Sequence, residues 1–184
     1  MVNVVDISRQ KKQLFNNRKE GRVGKTIQKR KFTKSSPSIE DAILLAALLH
    51  KGQRDKAGAP YILHPLRVML DSTLTTDTER IVAVLHDVVE DGGINLAKLS
   101  ELGYASEIVK GVELLTKLPH EENDYDAFIQ RICNGPELAR KVKLADLRDN
   151  ADLSRIAHPT ERDFKRQEKY LRAINVIEET FTRG

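Results

Sequence analysis

The densest chemistry in this 184-residue chain lies in Ile81 to Asp91, IVAVLHDVVED. With His86 set at zero on an α-helix, Glu90 falls at about 40°, Asp87 at about 100° and Asp91 at about 140°, while Ile81, Val82, Val84, Leu85, Val88 and Val89 fall between about 160° and 320°. One side of such a helix carries ionisable groups and the other a packing face. A solvated helix face usually mixes Lys with Glu, and this stretch has neither Lys nor Arg. Three carboxylates and a histidine without counter-charge repel one another, and a bound divalent cation is the candidate that offsets them.

Two further residues fit a metal site. His64 lies in YILHP and Asp146 in VKLADLRDN. Imidazole nitrogen with carboxylate oxygen suits a divalent ion such as Mn²⁺, Fe²⁺ or Zn²⁺. His64, His86, Asp87 and Asp146 together would leave coordination positions open for water and a phosphate oxygen. Glu90 and Asp91, one turn on, are placed to orient or deprotonate a water, or to protonate a leaving oxygen. An unpaired carboxylate at Asp146, between Leu144, Ala145 and Leu147, would be costly, so that residue is expected to have partners.

The elements that must position these residues read as helices throughout. Ser38-Ile39-Glu40-Asp41 and Thr76-Asp77-Thr78-Glu79 are capping-box patterns. The first predicts a buried helix to about His50, the second the central helix, closed by Gly92-Gly93. Between them, GQRDKAGAP at 52–60 is a loop and Pro65 opens a helix to about Ser72. Downstream, helices are expected at 96–102, 106–115, 125–133, from Pro136, and from Thr160 to about Phe181, with a polar loop at 120–123. No alternating β pattern and no repeat appears. The expected fold is all-α, a compact bundle of roughly seven or eight helices.

Composition sets outer bounds. With no Trp and 5% aromatic residues, base stacking on nucleic acid is not a leading idea. A single cysteine, Cys133, excludes an internal disulfide and fits a reducing cytosol, with the thiol as a small core residue. The longest apolar run, Ala42 to Leu49, is too short to span a bilayer, and the N-terminus lacks a signal-peptide core, so a cytoplasmic location is expected. Residues 1–37 hold seven Lys and four Arg against Asp6 and Glu20, a net of +9; the whole chain is +4, so residues 38–184 sum to 4 − 9 = −5. A basic, loosely attached arm at 1–37 thus precedes a domain at 38–184, and its Lys29-Arg30-Lys31 is a candidate contact for RNA or acidic protein.

The sequence resembles the HD-type phosphohydrolases through its order H…HD…D, and more finely the hydrolase domain of the Rel/SpoT alarmone enzymes. The matching pieces are AALLHKGQRDKAGAPYILHP at 46–65, AVLHDVVED at 83–91 and VKLADLRDN at 142–150. The resemblance covers about residues 39–180. It implies that His64, His86, Asp87 and Asp146 hold one Mn²⁺, that Glu90 and Asp91 position and activate the attacking water, and that Asn150 lies near the ribose and phosphates. It also implies that Arg54 and Lys56 sit in a loop that packs on guanine and reaches phosphate, that Tyr170 is an aromatic residue at the pocket rim, and that His50 is a core residue and not a ligand. Two positions depart from the family pattern: Leu147 stands where an Arg is frequent, with Arg148 next to it, and Asp55 interrupts the basic pair of the upstream loop.

What the resemblance implies is a small stand-alone enzyme that cuts pyrophosphate from the ribose 3′ position of (p)ppGpp, giving GDP or GTP. A second reading is an HD phosphatase or nucleotidase acting on another phosphorylated nucleotide, such as one with a 2′-phosphate. A third is a nucleotide-sensing binding module that uses its basic arm on RNA.

Overall fold

A computed structural model describes residues 36–121 and 123–182. The basic arm expected over 1–37, with its Lys29-Arg30-Lys31, lies outside the described residues except for its last two positions. The described residues form eight α-helices, with no β-structure among them beyond one isolated antiparallel bridge between Arg54 and Pro60. These are α1 (Ile39–Leu49), α2 (Leu63–Met69), α3 (Asp77–Leu85), α4 (Leu96–Glu101), α5 (Ser106–Leu115), α6 (Tyr125–Cys133), α7 (Glu137–Ala151) and α8 (Glu161–Thr182). None is long and apolar enough to cross a membrane.

Local chemistry starts the helices where the sequence places them. The Asp41 amide donates to Ser38 Oγ at 3.3 Å, and the Asp41 carboxylate accepts from the Ser38 amide at 3.1 Å. The Glu79 amide donates to Thr76 Oγ1 at 3.2 Å, and its carboxylate accepts from the Thr76 and Thr75 amides at 2.9 and 2.8 Å. Each box satisfies amides that a helix start leaves unpaired, worth about 1 kcal/mol.

Helix α7 is the axis of the bundle, packed against α2, α3, α5, α6 and α8. Its Ala139, Val142, Ala145 and Leu147 are in the core. Neighbours on most sides leave it no wide solvent face, so Lys143 and Asp146 are buried with them. Helix α3 passes through the same core, with Ile81 to Leu85 all buried. Gly111 of α5 allows a close approach: a Cβ there would lie 2.9 Å from methyls of Val82 and Leu138.

The helix expected over Ile81 to Asp91 ends at Leu85. His86 Nδ1 donates to the Ala83 carbonyl at 2.7 Å, the acceptor that the Asp87 amide would use if the helix continued. The chain goes on in tight turns, with Val88 N on Leu85 O at 3.1 Å and Asp91 N on Asp87 O at 2.8 Å. Gly92 follows where a Cβ would lie 2.5 Å from the Val88 carbonyl oxygen. The wheel drawn from the sequence therefore holds only up to Leu85, and backbone turns aim His86, Asp87, Glu90 and Asp91.

The polar loop expected at 120–123 also differs. Pro119–Glu121 is a 3₁₀ turn, and Glu121 is 2% exposed. Arg131 of α6 grips it from Nε at 2.6 Å and Nη2 at 2.7 Å, and donates to the carbonyls of Leu114 and Thr116, each at 2.9 Å. Cys133, expected in the core, is only half-buried.

The Arg131 guanidinium holds the Glu121 carboxyl down to about 2, against burial that pushes it up. A depressed carboxyl pKa contributes stability above its usual value of 4.5, and that stability is lost as pH falls from there towards about 2. Arg131→Met strands a buried charge and is expected to cost about 3 kcal/mol at pH 7. It should also flatten the fall in stability between pH 4.5 and 2. Urea unfolding across that range measures both, and a cost below about 1 kcal/mol would show that the pair does not hold the turn.

Candidate active site

All the residues that the sequence singles out as ligands, water-handling carboxylates or substrate contacts line one cleft of about 540 Å³. Its floor is built by α2, the turns after α3, and α7. His64, His86 and Asp87 present ligand atoms that all lie within 4.8 Å of one another. Asp146 adjoins this trio: its Oδ1 is 3.2 Å from His64 Nε2 and 3.6 Å from His86 Nε2.

Hydrogen bonds fix which nitrogens face the cluster. His86 Nδ1 is spent on the Ala83 carbonyl, so Nε2 turns inward. That Nε2 is buried and has no hydrogen bond of acceptable geometry, although Asp87 Oδ2 is 3.0 Å away. His64 Nδ1 lies 2.7 Å from Asp149 Oδ2, which leaves its Nε2 inward as well. Two inward imidazole nitrogens beside two carboxylates are a donor set that fits a divalent cation. The unpartnered His86 Nε2 is the observation that favours one.

The electrostatics agree. Burial pushes the His86 imidazole down, and the Asp87 and Asp146 carboxylates more than reverse this, leaving it well above its ordinary value. Burial likewise pushes His64 down, and hydrogen bonds to Asp146 and Asp149 raise it overall. Burial pushes both Asp87 and Asp146 up; His86 pulls Asp87 below the usual range, and Lys143 with the two imidazoles does so for Asp146. The negative field that raises these two imidazoles is one that attracts a metal ion.

Other contacts were not legible in the sequence. Tyr61 Oη donates to Asp87 Oδ2 at 2.5 Å. Lys143 Nζ, itself buried, donates to Asp146 Oδ2 at 2.7 Å. Asn150, expected near the ribose and phosphates, donates to Asp146 Oδ1 at 2.5 Å. Tyr61 and Lys143 lie inside the quoted pieces GAPYILHP and VKLAD, where proximity to a ligand was a usable signal.

The rim of the cleft is mixed. Glu90 accepts from the Lys117 amide at 2.6 Å and Lys117 Nζ at 3.3 Å. Burial, Asp87 and Glu90 raise the Asp91 carboxyl. Burial and Arg166 depress Lys56, while burial, Lys117, Arg166 and Lys143 depress Lys169. These cations crowd one another on one side of the cleft, a field suited to a polyanion. Lys169 Nζ lies 4.2 Å from the Tyr125 ring centroid and 5.3 Å from that of Tyr170, whose ring borders the same cleft. No sequence pattern marked Lys117, Arg166 or Lys169, because tertiary packing brings them in.

The two departures from the family pattern have local explanations. Asp55 Oδ1 accepts from the amides of Ala57 and Ala59 at 3.0 and 2.9 Å, and Arg54 donates to the Gly58 carbonyl at 2.6 Å, so both shape the loop. Leu147 is fully buried in the core, and Arg148 turns away to Glu178 at 3.0 Å. Neither Leu147 nor Arg148 borders the cleft. His50 is 2% exposed, and its Nδ1 lies 2.7 Å from Gln53 Oε1. Gln53 in turn donates to the Asp91 carbonyl at 2.8 Å, so His50 buttresses the turn from beneath.

No family model matches the chain. Over 125 residues it is 35% identical to a GTP pyrophosphokinase of Myxococcus xanthus, covering 61% of this chain and 16% of that protein. Two proteins named guanosine-3′,5′-bis(diphosphate) 3′-pyrophosphohydrolase are also similar. That of Haemophilus influenzae is 42% identical over 116 residues, covering 58% of this chain and 17% of its own. That of Aquifex aeolicus is 30% identical over 125 residues, covering 65% and 18%. The aligned part is thus less than a fifth of the length of these relatives. Among solved structures, a metazoan orthologue of SpoT, described as hydrolysing ppGpp, superposes with a TM-score of 0.66 at 23% identity, covering 80% of this chain and 87% of that one. That likeness establishes the fold.

Asp146→Asn removes the charge that Lys143 is buried against. The stranded ammonium is expected to lower the unfolding free energy by about 3 kcal/mol. The double change Asp146→Asn with Lys143→Met should recover part of that loss, and a denaturant-based double-mutant cycle with no coupling would show that the pair is not what holds the floor.

Proposed function

We propose that this chain, a Rel/SpoT HD-domain hydrolase-like protein by its relatives and its fold, is a Mn²⁺-dependent 3′-pyrophosphohydrolase of (p)ppGpp. The observation that carries the reading is the convergence of His64, His86 and Asp87, with Asp146 beside them, around an unpartnered imidazole nitrogen. His64, His86, Asp87 and Asp146 would hold the ion. When bound, it supplies Lewis acidity for attack at phosphorus.

The chain's own residues do the rest. Glu90 and Asp91 align a water in the cleft, and Glu90 accepts its proton as the oxygen adds to the phosphorus bonded to the ribose 3′ oxygen. That P–O3′ bond breaks, and the 3′ oxygen leaves with a proton, giving GDP or GTP and pyrophosphate. Asp91, whose proton is held more tightly than usual, is suited to supply it. Lys117, Arg166 and Lys169 bind the outer phosphates, where clustered cations match clustered charge. Tyr170 offers a flat face at the rim for the guanine, with Arg54 and Lys56 on the neighbouring loop and Asn150 towards the ribose. The absence of a membrane-spanning helix among the described residues and the single thiol suit a cytoplasmic nucleotide enzyme.

Purified full-length protein is expected to release GDP and pyrophosphate from ppGpp with Mn²⁺ and not with EDTA. Turnover confined to another nucleotide, such as one with a 2′-phosphate, would keep the hydrolase chemistry and discard the substrate. Glu90→Gln should retain Mn²⁺ binding by calorimetry and lose turnover by about a hundredfold or more. Full activity in that variant would remove Glu90 from the water-handling role.

A further inference from the structure

We propose that Asp149 is a positioning residue that sets His64 for metal binding, with Arg67 and Arg155 as the clamps that hold its carboxylate in place. This rests on the reading of the cleft above. Helices α2 and α7 face each other here with matching one-turn spacings. His64 and Arg67 are three residues apart on α2, and Asp146 and Asp149 are three apart on α7, so each pair shares a helix face. The four side chains interlock across the gap. His64 Nε2 meets Asp146 Oδ1 at 3.2 Å, and His64 Nδ1 meets Asp149 Oδ2 at 2.7 Å. Arg67 donates from Nε to Asp149 Oδ1 at 2.6 Å and from Nη2 to Asp149 Oδ2 at 3.0 Å.

An imidazole can present either nitrogen, and the hydrogen bond to one decides what the other does. Asp149 as a carboxylate only accepts, so Nδ1 carries a proton, and in the neutral ring Nε2 is then the nitrogen that offers a lone pair. The same bond stops the ring from turning over. Asp149 lies on the ring edge away from the cation position, and its own carboxylate must be fixed for the bond to hold. It is not free: Arg67 spans both oxygens, and Arg155 adds a donor from Nη2 to Oδ2 at 3.3 Å and to the Asp149 carbonyl at 2.7 Å. His86 needs no such carboxylate, since the Ala83 carbonyl does the equivalent task. The two imidazoles are thus oriented by different devices, one by backbone and one by Asp149.

The test uses full-length protein and a metal readout separate from turnover. Calorimetric titration with Mn²⁺ should give 10- to 100-fold weaker binding for Asp149→Ala. Asp149→Asn, which keeps an acceptor and the side-chain shape, should lose less. In the diamagnetic Zn²⁺-loaded wild type, long-range ¹H–¹⁵N correlation should show His64 with a protonated Nδ1 and a metal-shifted Nε2; this needs no variant to fold. Metal on Nδ1, or wild-type affinity in both Asp149 variants, overturns the inference while leaving the cleft's metal intact. No metal binding by the wild type overturns the reading of the cleft and this inference with it.

Discussion

A carboxylate buried at the centre of a helical bundle is the constraint on which this structure turns. Asp146 is 4% exposed on α7, the helix at the axis of the bundle. Burying such a charge alone would cost several kcal/mol. Its neighbours are therefore determined: Lys143 on one oxygen, Asn150 and the two imidazoles on the other. Each of those groups must be placed in turn. Asp149 and the Arg pair follow from His64, the interrupted α3 ladder from His86, and Tyr61 from Asp87. The polar network runs outward from one atom pair, and the apolar packing of α3 and α7 encloses it.

Charge in the cleft is sorted by depth. His64, His86, Asp87 and Asp146 occupy the floor, while the rim carries Lys56, Lys117, Arg166 and Lys169 together with Glu90 and Asp91. Under the proposed function, a cation on the floor and the cations of the rim would together match several phosphates, which reconciles an acidic centre with an anionic substrate. Lys143 reaches the floor as a buried ammonium and limits Asp146 to one available oxygen.

How legible this was in the sequence depended on range. Capping boxes at Ser38 and Thr76 are local, and both helix starts fell where they predict. The motif residues His64, His86, Asp87 and Asp146 were marked by type and spacing, and all reach one cleft. The end of α3 was not legible, because a side chain captured a backbone carbonyl, a competition that hydrophobic periodicity does not register. Glu121 looked like part of a polar loop because its partner, Arg131, is ten residues away on another helix. Lys117, Arg166 and Lys169 carry no motif, and only the approach of α8 to the segment after α5 brings their charges together.

Gly92 touches no ligand, and a search for conserved chemistry would pass it over. Any side chain there would press its first carbon against the Val88 backbone, and backbone cannot step aside as a flexible side chain can. The turn carrying Glu90 and Asp91 would have to open. Position 92 is thus closed to the other amino acids by geometry alone, and a saturation screen of this chain should find it as intolerant as a metal ligand, for want of room beside the Val88 carbonyl oxygen and not for want of a functional group.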